Sequence, residues 1–137
     1  DNHPMDVFCE RVVELTKAVN NKNEIEAYGF NFSTIIVKEI ITNELIKKFF
    51  MNDYKKIESK LGGEINKFSP KLTIGFDEYN LNLNLMPGQD KLKKSYKANF
   101  NSHFQNKSFS FKTDSLCDEI MTYFNKGVKV LSKISNN

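Results

Sequence analysis

Lys71-Leu72-Thr73-Ile74-Gly75-Phe76-Asp77-Glu78-Tyr79-Asn80-Leu81-Asn82-Leu83-Asn84-Leu85-Met86 alternates apolar and polar residues in two runs parted by Asp77-Glu78. A period of two is the signature of a strand with one greasy face and one wet face. Leu81, Leu83 and Leu85 therefore share the core side with Leu72, Ile74 and Phe76, while Asn80, Asn82 and Asn84 share the other. Pro87-Gly88-Gln89-Asp90 is a turn. Beyond it, Tyr96, Ala98, Phe100, Phe104, Phe109 and Phe111 continue the alternation, which predicts a third strand over 94–104 and a fourth over 107–112.

A one-sided sheet needs a cover, and the flanking segments supply it. Met5, Phe8, Cys9, Val12 and Val19 fall on one helical stripe, with Pro4 suited to the first helical position, so residues 4–20 read as an amphipathic helix. Leu116, Cys117, Ile120, Met121, Phe124, Val128 and Leu131 form the stripe of a last helix capped near Thr113-Asp114. Tyr28, Phe30 and Phe32 alternate with Ala27, Gly29 and Asn31, which predicts a short edge strand near 25–32. From Ser33 onward, Ile36, Val37, Ile40, Ile41, Leu45, Phe49 and Phe50 recur at helical spacing. Tyr54, Ile57 and Leu61 extend that stripe past a kink at Asn52-Asp53 to the stop at Gly62-Gly63. The β-branched run Thr34-Ile35-Ile36-Val37 pulls the other way, toward a strand reaching about Lys38. The longer periodicity favours a helix. The fold class that results is α+β: N-terminal helices, a four-stranded antiparallel meander over about 71–112, and a C-terminal helix packed on one face, all within one domain spanning 1–137.

Composition narrows the function. The 137 residues carry a formal charge of only +3, and Arg11 is the single arginine among the lysines. A chain this poor in guanidinium groups is ill suited to bidentate phosphate or guanine readout. No run reaches the roughly 18 to 20 apolar residues of a membrane span, so we expect a soluble chain. It opens on Asp1, which fits an excised domain, a tag remnant ahead of Met5 or a trimmed product; cytoplasmic and exported locations both stay open. Cys9 and Cys117 are the only cysteines, and each lies in an apolar helical stripe. Two buried thiols are the first expectation; a bridge between the first and last helices is the alternative, and would place the chain outside the reducing cytosol.

Catalytic chemistry finds little to stand on. His3 and His103 are the only histidines, Asp77 and Glu78 are neighbours that point to opposite faces of a strand, and Gly62-Gly63 lacks the Lys and Ser or Thr of a phosphate loop. No cofactor or metal site is expected. Single-stranded nucleic acid is the alternative partner, through Lys91, Lys93, Lys94 and Lys97 beside aromatic rings. That reading needs the rings in solvent, whereas the alternation turns Tyr96, Phe100, Phe109 and Phe111 under the helices.

With twelve phenylalanines and five tyrosines, apolar surface is the chain's main resource. The expectation is a non-catalytic protein-binding module, an adaptor, inhibitor or client-specific chaperone, with self-association into a homodimer open. Its predicted contact residues are Ile46, Phe50 and Tyr54 on an exposed edge of the middle helix, and Tyr28, Phe30 and Phe32 on the edge strand, where a partner strand can add.

Overall fold

In the computed structural model, the chain is described except at residues 1–3, 20–24, 26, 38–41, 51–52, 89–94, 110 and 136–137; at 19, 37, 42–44 and 50 only the backbone is described. Among the described residues, four helices and four strands follow in the order α1 (Pro4–Val19), β1 (Ala27–Val37), α2 (Thr42–Phe50), α3 (Tyr54–Leu61), β2 (Lys71–Gly75), β3 (Asn80–Pro87), β4 (Ser95–Gln105) and α4 (Thr113–Ser135). The strands form one antiparallel sheet in the order β1-β4-β3-β2. The α+β class, the four antiparallel strands and the C-terminal helix on one face are as expected.

The sheet's inner face is built from the alternating residues. Leu81, Leu83 and Leu85 of β3 and Tyr96, Ala98, Phe100 and Phe104 of β4 are buried, and Leu45, Tyr123 and Leu131 from the helices close over them. Each buried Leu or Phe here contributes roughly 1.5 to 3 kcal/mol by leaving water, which makes this layer the main source of stability. In α4 the buried residues are Leu116, Ile120, Tyr123, Gly127 and Leu131, spaced three or four apart so that one stripe faces the sheet. A second cluster joins Cys9 and Val13 of α1 to Leu116 and Ile120 of α4, with Phe30 and Phe32 of β1 packed against it. Gly62, at φ 69°, ends α3 in the left-handed conformation, and Gly63 N–H donates to Glu58 O at 3.3 Å.

Two boundaries differ from expectation. The helix expected from Ser33 is strand as far as Val37, and α2 starts only at Thr42. Eleven residues of β1 pair with β4, from Ala27 opposite Gln105 to Val37 opposite Ser95. That ladder favours the β-branched run Thr34-Ile35-Ile36-Val37 as strand and overrides the helical stripe. The fourth strand of the sheet is therefore β1, and the described residues of the 107–112 segment, 107–109 and 111–112, are not in a strand. Both sides of β4 are taken, by β1 and by β3, so Phe109 and Phe111 pack instead, half-buried, against the α1–α4 cluster.

Candidate interaction surface

The two edges of the sheet are unlike. β2 is five residues long, begins with Lys71, and follows Pro70. Shortness, an edge lysine and a nearby proline are ordinary ways of blunting a sheet edge. β1 has eleven residues, Ala-Tyr-Gly-Phe-Asn-Phe-Ser-Thr-Ile-Ile-Val, with neither a charge nor a proline among them. At about 3.3 Å per residue it spans roughly 36 Å. Among the described residues nothing is hydrogen-bonded along its outer side.

The inner-face rings of β1 pack against those of β4 and α4. Tyr28 stacks on Phe104 at 5.0 Å, and Phe32 lies 5.1 Å from Phe100 and edge-on to Phe124 at 5.3 Å. Phe30 meets Phe104 edge-on at 5.8 Å. Offset and edge-on ring pairs add to the area they bury. The Tyr28 hydroxyl donates to Glu119 Oε1 at 2.5 Å, and the same oxygen pairs with Lys107 Nζ at 3.1 Å. Lys107 also donates to the Tyr123 hydroxyl, which donates to Glu78 Oε2, both at 3.4 Å. Burial, then the hydrogen bond to Glu119 and its charge, push the Tyr28 phenol well above its ordinary range.

The outer face is a field of amides. Thr73, Asn82, Asn101 and Asn31 stand directly opposite one another across the four strands. Thr73 Oγ1 donates to Asn82 Oδ1 at 2.9 Å, Asn82 Nδ2 to Asn101 Oδ1 at 3.4 Å, and Asn101 Nδ2 to Asn31 Oδ1 at 2.8 Å. The next row is Lys71, Asn84, Asn99 and Ser33, in which the buried Asn84 Oδ1 has no partner among the described residues. An open concavity of about 580 Å³ runs along these two rows. Ile35 stands beyond them in line with Lys97 and Met86, and is 65% exposed. Gly29 begins the face at its other end, opposite His103, and a Cβ there would lie 2.9 Å from both Asn101 Nδ2 and Ser102 O.

Of the predicted contact residues, Tyr28, Phe30 and Phe32 do lie on an edge strand, half-buried with their rings on the inner face. The exposed edge expected on the middle helix is not there: Ile46 is 0% and Tyr54 4% exposed, because the two short helices turn these side chains into the protein. The side chain of Phe50 lies outside the described residues, as do Lys91, Lys93 and Lys94. Lys97 is exposed on the outer face, but the rings a nucleic-acid platform would need, Tyr96, Phe100 and Phe104, are buried. Sequence reasoning missed Ile35, Asn31 and Asn101. Extending the alternation Gly29, Asn31, Ser33, Ile35 through the β-branched run was the signal that would have found the first two.

Both cysteines are free thiols. Cys117 Sγ lies 3.7 Å from Met5 O and 3.8 Å from Asp6 Oδ1. Burial, with Cys9 and Asp6 close by, pushes its thiol up to about 12, so it is a poor nucleophile at neutral pH. Among the described residues no three His, Cys, Asp or Glu side chains are grouped to hold a metal ion, and no helix is long and apolar enough to cross a membrane. No protein-family model, curated protein or solved structure matches this chain.

Proposed function

We propose that this chain is a non-catalytic protein-binding domain that takes an extended segment of its partner onto the outer side of β1. The observation that carries the reading is the contrast between the two edges: β2 is short and blunted, whereas β1 is long, uncharged and anchored by a row of aromatic rings. An unpaired edge offers a row of N–H and C=O groups that an extended peptide completes, and alternate side chains on either face then select the sequence. Ile35 supplies an apolar contact on the outer face, and the neighbouring amides supply directional donors and acceptors.

The test is capture of partners from the native source followed by hydrogen-exchange mapping of the purified complex. Slowed exchange concentrated in residues 27–37 is the expected result, with Ile35→Lys weakening capture. Protection confined to other elements, with β1 amides exchanging as before, would overturn the reading. Anisotropy of a labelled single strand at two salt concentrations tests the nucleic-acid alternative, which requires an affinity that falls as salt rises.

A further inference from the structure

We infer that the occupant of the β1 edge is β1 of a second copy of this chain, paired antiparallel about a two-fold axis that passes by Phe32. This inference rests on the strand-addition reading above and names its partner.

Symmetry restricts the possible pairings severely. A two-fold that relates neighbouring antiparallel strands stands perpendicular to the sheet, so residues placed opposite each other lie on the same face in both copies. A slip of one residue would set an inner-face side chain against an outer-face one and is excluded. Of the pairings that remain, only the one centred on Phe32 uses all eleven residues, because Phe32 is the midpoint of Ala27–Val37.

That register is chemically self-complementary. It sets Ile35, the exposed apolar side chain of the outer face, opposite Gly29 of the second copy, which has no side chain to obstruct it. Asn31 falls opposite Ser33 of the second copy. The hydrogen-bonded row from Thr73 to Asn31 thereby runs on into the Ser33, Asn99, Asn84 and Lys71 row of the neighbour. No side chain of β1 is charged at neutral pH, so no like charges meet across the axis. The helix over this end of the sheet, α1, also leaves Phe8 and Leu15 exposed at 55% and 67%, apolar area available to widen the contact. The product is an eight-stranded sheet with the helices of both copies on one side.

Light scattering over a range of concentrations reads the oligomeric state, and register-specific crosslinking reads the geometry. The wild-type chain is expected to reach a dimer as concentration rises, and Ile35→Lys or Ser33→Lys to raise the dimer dissociation constant about tenfold or more while circular dichroism stays native. Oxidation of a mixture of Asn31→Cys and Ser33→Cys chains is expected to give a linked dimer in higher yield than either variant alone. Directly opposed residues lie within disulfide reach and diagonal ones do not. The wild-type chain, with Cys9 and Cys117 only, is the control. A chain that stays monomeric throughout, or a dimer indifferent to both lysine variants, overturns the inference. In the monomeric case, protection of residues 27–37 by a different captured protein would leave the strand-addition reading standing, and its absence would remove both.

Discussion

Gly127 of α4 lies directly on the ring of Phe100 in β4: a Cβ at position 127 would be 2.5 Å from Phe100 Cδ2 and closer still to Cε2. Both residues are buried. A glycine in a helix interior normally costs about 1 kcal/mol relative to alanine, and here the close approach of helix and sheet offsets that loss.

Gly127→Ala is therefore expected to destabilise the protein by about 1 to 3 kcal/mol, because overpacking outweighs the gain in helix propensity. Urea unfolding measures it. Phe100→Leu made in the Gly127→Ala background should cost less than in the wild type, since the two positions share one contact. An Ala variant as stable as the parent would mean that α4 sits farther from the sheet.

Among the described residues Ser102 is the one buried polar residue of the core, and its hydroxyl has no partner among them. It sits between Phe30 and Leu81 on the inner face. An unpaired buried hydroxyl is a net cost, so Ser102→Ala should leave stability unchanged or raise it by about 1 kcal/mol. A loss above roughly 1 kcal/mol on thermal or urea unfolding would reveal a hydrogen bond at that position.

Ile46 and Ile35 are expected to behave as opposites. Ile46→Ala empties a fully buried site and should remove about 2 to 5 kcal/mol of stability. Ile35→Lys changes an exposed one and should stay within about 0.5 kcal/mol in the monomer. If the two changes cost the same, the burial assigned to α2 is wrong.

The Tyr28–Glu119–Lys107 network sets an alkaline limit. The phenol of Tyr28 is held above its ordinary value of 10.0 by burial and by Glu119, and that of Tyr79 by burial and by Tyr123. Burial alone would lower the ammonium of Lys107, but hydrogen bonds to Glu119 and Tyr123 outweigh it and raise the group above 10.5. All three groups keep their protons to higher pH in the folded protein than in the unfolded chain. Their contribution is complete below about pH 10 and is lost as pH climbs beyond it. Urea midpoints are expected to hold level from neutral pH and fall above about pH 10, and Tyr28→Phe to flatten that fall while lowering stability at neutral pH. An unchanged alkaline slope in Tyr28→Phe would remove Tyr28 from the network.

The alternation from Leu72 to Leu85 and again from Tyr96 to Phe104 was legible because strand faces depend only on neighbours two residues away, and the structure turns the predicted side inward except at Phe76, which lies past the end of β2 and is 42% exposed. The stripes of α1 and α4 were legible in part for the same local reason: Cys9, Leu116, Ile120 and Leu131 are buried, whereas Phe8, Met121 and Val128 stand exposed and Tyr123 and Gly127 join the buried side of α4 instead. Residues 33–37 were not, since a helical stripe and a β-branched run overlap there and the tie is broken by β4, more than fifty residues away in sequence. The burial of Ile46 and Tyr54 was equally out of reach. A broad apolar arc fixes that a helix has something to hide, but which part stays in water depends on what packs against it.

The sequence by itself therefore determined the α+β class and the two-faced sheet, both of which follow from spacing along the chain. Only the tertiary structure decided that β1, rather than the segment after β4, is the fourth strand and one of the sheet's two edges. The reason is physical: strand partners are chosen by ladders between distant segments, and a strand can be an edge only once every other strand has found its place.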